Sequence, residues 1–105
     1  MKKDGVDVVE VESVEEAIKD VDVIYTTRIQ RERFPDAREY DKVKDRFRIT
    51  VEDLEAMQED AIILHPLPRV DELDANIDGT PHAKYFDQVY NGVILRMAVL
   101  KLILG

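Results

Sequence analysis

The chain has 105 residues, 45% of them hydrophobic, and sets 15 Lys plus Arg against 23 Asp plus Glu for a net charge of −8. That length suits one small domain with a modest core, the acidic balance disfavours nucleic acid and anionic membrane as partners, and zero Cys excludes disulfides, thiol nucleophiles and zinc–thiolate sites. No apolar leader follows Met1-Lys2-Lys3, and the C-terminal apolar run is broken by Arg96 and Lys101 and is too short to span a bilayer, so the expected location is cytoplasmic.

Residues 6–11 read as a strand carrying Val6, Val8, Val9 and Val11. Ser13 caps a short helix over 14–19, with Glu16 at the capping-box position. Residues 21–26 form the next strand. A strand, a short crossover helix and a second strand predict parallel pairing in an α/β layer. The charged run Arg28-Ile29-Gln30-Arg31-Glu32-Arg33-Phe34 follows and is redirected at Pro35. Residues 37–44 read as a short helix with Tyr40 and Val43 turned inward. Thr50 is the expected N-cap of a helix over 51–58, which buries Leu54 and Met57. Residues 61–64 make a third strand, closed by His65-Pro66-Leu67-Pro68-Arg69. An acidic loop over 71–80 comes next, and Tyr85 to Val89 reads as a short helix or an extended arm. Residues 91–104 carry the clearest helical pattern.

The expected fold class is therefore α/β: a partial doubly wound parallel sheet of three short strands with flanking helices, and a long apolar C-terminal helix. Residues 1–105 count as one unit. The strands are unalternating apolar segments, the pattern of strands covered on both faces. The last helix is apolar over more than the single stripe a surface helix needs. Residues 90–104 are expected to dock on a domain outside this sequence, the alternative being a helix at the centre of this one.

Ligands of parallel α/β layers bind at the C-terminal ends of strands. Two loops leave such ends here. In the first, Arg28 offers a planar fork of donors for a carboxylate, Gln30 adds an amide, and Arg31 and Arg33 raise the local positive potential. The competing reading is a solvated charged loop, with Arg33 paired to Glu32 or Asp36. In the second, Pro66 and Pro68 fix the backbone and remove two N–H donors, leaving carbonyls in set directions. That turn either holds a ligand N–H or merely ends a strand, and the Leu67–Pro68 bond is open to the cis form. His65 is a proton-transfer group or a structural one. Asp71 and Glu72 pair with Arg69 or a partner, or form a solvated face. Arg96, in an apolar helix, calls for a carboxylate or solvent partner, and an ion pair is the expected role. No metal-ligand spacing and no glycine-rich phosphate cradle appears, and no cofactor is implied.

The ordered strings Tyr25-Thr26-Thr27-Arg28-Ile29-Gln30-Arg31-Glu32-Arg33, Tyr40 with Val43-Lys44, His65-Pro66-Leu67-Pro68-Arg69-Val70-Asp71-Glu72, Pro81-His82-Ala83 with Tyr85-Phe86, and Asn91-Gly92 resemble aspartate carbamoyltransferase. The likeness is to the C-terminal part of the aspartate-binding domain of its catalytic chain and runs from about residue 5 to the end. His65-Pro66-Leu67-Pro68 stands where ornithine enzymes usually carry His-Cys-Leu-Pro, which points to aspartate. The resemblance implies transfer of a carbamoyl group from carbamoyl phosphate to the L-aspartate amine, in pyrimidine biosynthesis. It implies that Arg28 and Gln30 bind aspartate, and that the backbone at Pro66 and Leu67, beside a cis Pro68, positions the carbamoyl group. Glu32, Arg33, Glu39 and Tyr40 match a loop that moves as two domains close, and Arg96 matches an arginine on the terminal helix.

Family catalytic chains are about three times this length, so the carbamoyl phosphate domain is expected to lie outside the sequence. The chain alone is then catalytically incomplete. Its expected partners are that missing N-terminal domain, a homotrimer of catalytic chains and, in some assemblies, regulatory chains. Two other readings remain: a non-catalytic amino-acid-binding homologue, and a fragment serving assembly through its terminal helix.

Overall fold

A computed structural model describes residues 5–28, 35–36, 38–39 and 47–105. Among these, the regular elements are α1 (Val14–Ala17), β1 (Val23–Tyr25), β2 (Ile62–Leu64) and α2 (Tyr85–Leu104), with 3₁₀ helices over Glu52–Ala56 and Ala75–Gly79.

β1 and β2 pair in parallel, with Val23 opposite Ile62, Ile24 opposite Ile63 and Tyr25 opposite Leu64. The ladder runs one residue beyond each end, through Ile62 N–H to the Asp22 carbonyl and Thr26 N–H to the Leu64 carbonyl, both 3.0 Å. The other edge of β2 is taken by residues 82–84. Ile63 N–H donates to the His82 carbonyl at 2.8 Å, and Lys84 N–H donates to the Ile63 carbonyl at 3.1 Å, forming a parallel bridge at Ala83. β2 is thus the inner strand, which explains why Ile63 is fully buried.

Among the described residues the expected three-strand doubly wound sheet does not form: their sheet has two strands. Residues 6–11 adopt no regular structure, and Val6, Val8, Val9 and Val11 are exposed. β-branched side chains favour extended backbone, but a strand also needs a ladder partner. The free edge of β2 goes to the segment after Pro81, which is tied down by the His82 ring: its Nδ1 lies 2.6 Å from the Ala61 carbonyl. The flanking helices also shrink. α1 covers Val14–Ala17, capped by Ser13, whose Oγ accepts the Glu16 N–H at 3.4 Å. The helix expected over 51–58 is a 3₁₀ segment. Asp53 there accepts both the N–H and the hydroxyl of Thr50, at 2.8 and 3.1 Å. Tyr85 to Val89 is neither a separate helix nor an arm but the opening turns of α2.

The core joins these pieces: Ile18, Ile49, Met57, Ala61, Ile63, Leu73, Ile77 and Tyr85 pack together. A second parallel bridge, Ile49 to Leu73, ties the chain before the 3₁₀ helix to the chain after the proline turn. α2 gives this core one fully buried residue, Tyr85. Farther along, Leu95, Met97, Leu102, Ile103 and Leu104 are all more than 60% exposed. No helix among the described residues is long and apolar enough to cross a membrane.

Candidate functional site

Parallel pairing sends the chain out of β1 and β2 at the same end. Thr26 is bonded to Leu64, so the segment reaching Thr27 and Arg28 and the turn His65-Pro66-Leu67-Pro68-Arg69 start from adjacent backbone. Arg28 is exposed at that end. Two cavities border these elements. One, of about 380 Å³, runs along α1 and β1 and is lined by Val14, Ile18, Val23, Thr27, Phe47 and Glu72 among others. The other, of about 660 Å³, lies against α2 and is lined by Pro66, Lys84, Gln88, Asn91 and Arg96 among others.

The proline turn is held from within. The Leu67–Pro68 bond is cis, and Leu67 has φ +50°, a left-handed conformation that branched residues avoid. Its N–H donates to His65 Nδ1 at 2.8 Å. The His65 ring is fully buried, with Nε2 2.6 Å from Glu72 Oε1. A peptide N–H can only donate, so Nδ1 offers its lone pair and the ring proton sits on Nε2. Both ring nitrogens are engaged, which argues against the proton-transfer role left open for His65. Glu72 is 4% exposed rather than part of a solvated face. Burial opposes its charge, but hydrogen bonds from its own N–H, from His65 and from Val70 prevail and hold its carboxyl below the usual range.

The turn is also anchored on its far side. Arg69 grips Asp78 with both terminal nitrogens, Nη2 to Oδ2 at 2.7 Å, and the Tyr85 hydroxyl donates to the same carboxylate. Arg69 therefore pairs with Asp78, not with Asp71 or Glu72. The Arg69 hydrogen bond holds the Asp78 carboxyl below its ordinary value despite partial burial. Burial, then the bond to Asp78, pushes the Tyr85 hydroxyl up to about 12.

Gln88 on α2 links both loops. Its Oε1 accepts the His65 N–H at 2.9 Å, and its Nε2 reaches the Tyr25 hydroxyl at 3.4 Å. Sequence reasoning missed Gln88, Asp78 and the His65–Glu72 pair. The available signal was that Pro66 and Pro68 leave few donors, so neighbouring side chains must hold the turn. Arg96 donates its Nε to the Gly92 carbonyl at 3.1 Å, one turn back on its own helix, rather than forming the expected ion pair. Glu39 is exposed, its N–H bonded to the Asp36 carbonyl at 3.1 Å. Gln30, Glu32, Arg33 and Tyr40, with most of the helix expected over 37–44, lie outside the described residues.

Comparison with known proteins decides the family. A family model described as Aspartate/ornithine carbamoyltransferase, Asp/Orn binding domain, matches residues 1–103. The chain belongs to the aspartate/ornithine carbamoyltransferase family. It is 57% identical over 100 residues to the aspartate carbamoyltransferase catalytic subunit of Ignicoccus hospitalis, covering 95% of this chain and 33% of that one. It is 51% identical over its whole length to the same subunit of Methanosarcina acetivorans, covering 34% of that chain. The catalytic subunit of M. jannaschii aspartate transcarbamoylase superposes with a TM-score of 0.76 at 52% identity, over 85% of this chain and 29% of that chain. Aspartate transcarbamoylase from Trypanosoma cruzi, in complex with carbamoyl phosphate and aspartate, gives 0.80 at 34% identity, over 94% and 30%. The chain thus spans about a third of the length of the curated relatives it matches, and corresponds within this carbamoyltransferase family to the Asp/Orn-binding domain.

Proposed function

We propose that this chain is the aspartate-binding portion of an aspartate carbamoyltransferase catalytic chain, which transfers the carbamoyl group of carbamoyl phosphate to the amine of L-aspartate in pyrimidine biosynthesis. The observation that carries this reading is the Thr26–Leu64 bond, which starts a cationic loop and a carbonyl-presenting turn from one end of a single strand pair. The family membership and the ligands named for the Trypanosoma cruzi relative support it.

In this reading Arg28, with Gln30, clamps the aspartate carboxylates and brings its amine close to the carbamoyl carbon. The carbonyls of Pro66 and Leu67 accept the carbamoyl N–H groups and set the plane of the carbonyl under attack. The amine nitrogen bonds to the carbamoyl carbon, the bond from that carbon to the phosphate oxygen breaks, and phosphate leaves with the bond's electron pair and takes up the proton that the amine loses. Charge developing on the carbonyl oxygen and phosphate falls to groups of a carbamoyl phosphate domain outside this sequence. Glu32, Arg33, Glu39 and Tyr40 belong to the loop that moves when the two domains close. The exposed apolar face of residues 90–104 is covered by that other domain, and the working assembly is a cytoplasmic trimer of catalytic chains, joined in some cases by regulatory chains.

The test is carbamoyl transfer by a catalytic chain comprising this domain and its carbamoyl phosphate domain, offered L-aspartate or L-ornithine. Carbamoylation of aspartate but not ornithine is expected. No transfer to aspartate overturns the reading.

A further inference from the structure

We propose that His65 is a positioning residue for this transfer: its neutral ring fixes the peptide that joins Pro66 to Leu67, and with it the direction of the Pro66 carbonyl, against the domain core. This rests on the functional reading above. Pro66 and Pro68 carry no N–H, so Leu67 supplies the donor between them, and that donor is spent on His65 Nδ1 at 2.8 Å. His65 is itself fixed at two further points. Ring Nε2 donates to Glu72 at 2.6 Å, and the backbone N–H donates to Gln88 at 2.9 Å. Glu72 closes the arrangement by also accepting the Val70 N–H, at 3.3 and 3.2 Å. One carboxylate therefore fixes the ring and the chain beyond the turn together. With His65 0% and Glu72 4% exposed, water does not compete for these bonds.

The bond also holds Leu67 at its left-handed φ of +50°. Unbonded, the Pro66–Leu67 peptide is free to turn as Leu67 relaxes toward the ordinary regions of backbone space, and the Pro66 carbonyl turns with it. Misplacing a positioning group by about 1 Å can cost as much as ~100-fold in rate, so the loss of this bond is expected to appear in turnover.

Two measurements test the proposal. In the ¹⁵N-labelled chain, a scalar coupling across the hydrogen bond between the Leu67 amide nitrogen and His65 Nδ1 is expected, and its absence overturns the proposal. In a catalytic chain comprising this domain, His65→Asn keeps a side-chain acceptor near the place of Nδ1. His65→Gln reaches toward Glu72 instead and leaves the Leu67 N–H without its acceptor. A fall in kcat of roughly tenfold or more is expected for H65Q at nearly unchanged KM for aspartate, with most of the rate recovered in H65N. Equal losses in both variants, tracking an equal fall in Tm, overturn the positioning role. No transfer by the wild-type chain overturns the functional reading instead.

Discussion

His65 Nε2 and Glu72 Oε1 lie 2.6 Å apart, seven residues apart in sequence, with both side chains buried. The pair closes the turn that carries Leu67. A buried carboxylate is costly unless donors surround it, and Glu72 has them in His65 and the Val70 N–H. Its lowered pKa stabilises the fold above the ordinary carboxylate range, and that contribution is lost as pH falls through the folded-state value. Glu72→Ala leaves the His65 and Val70 donors unsatisfied and is expected to cost about 3 kcal/mol in denaturant unfolding. Glu72→Gln keeps an acceptor oxygen and is expected to cost less, while flattening the acid limb of Tm against pH.

At the other end of the turn, the Tyr85 hydroxyl titrates near 12 rather than 10. The folded state holds that proton more tightly than the unfolded chain, so this stability is complete below pH 10 and is lost as pH rises toward 12. Tyr85→Phe is expected to flatten the alkaline limb of the stability profile and to lower Tm at pH 7. An alkaline limb unchanged in Tyr85→Phe contradicts the assignment.

Ile63 is fully buried at the centre of the inner strand, paired to β1 on one side and to residues 82–84 on the other. Ile63→Ala leaves a cavity that neither partner segment can close without breaking its own bonds. A loss of about 3–4 kcal/mol is expected from urea unfolding, against less than ~1 kcal/mol for substitution of exposed Val9.

The sequence was most legible where structure is decided locally. Ser13 caps α1, β1 and β2 sit within the stretches that read as strands, and α2 contains the run over 91–104, whereas the 3₁₀ helix is capped at Val51 without the side-chain bond expected from Thr50. What failed depends on distant partners. The valines of 6–11 look like a strand, but the edge of β2 was claimed by His82 to Lys84, a segment with no strand pattern. The acidic loop over 71–80 looks solvated, yet Glu72 and Asp78 bond to His65 and Arg69 across the fold. Nothing in local spacing encodes those pairings. In the first loop, Arg28 is exposed at the end of β1, and Gln30 lies outside the described residues.

The outer half of α2 leaves Leu95, Met97, Leu102, Ile103 and Leu104 facing solvent. Contiguous apolar surface of this kind drives association. In isolation the chain is expected to self-associate with rising concentration in sedimentation velocity, and the double substitution Leu95→Glu with Leu102→Glu to reduce that association. Identical sedimentation of the two proteins contradicts this account of the helix.

The proposed grip of Arg28 on aspartate is tested most directly by steady-state carbamoyl transfer in a catalytic chain comprising this domain, wild type against Arg28→Ala, with aspartate as the varied substrate. Losing a charge-assisted, bidentate contact with a carboxylate is expected to lower kcat/KM for aspartate about 100-fold. A value close to wild type would mean that the loop leaving β1 does not hold the substrate.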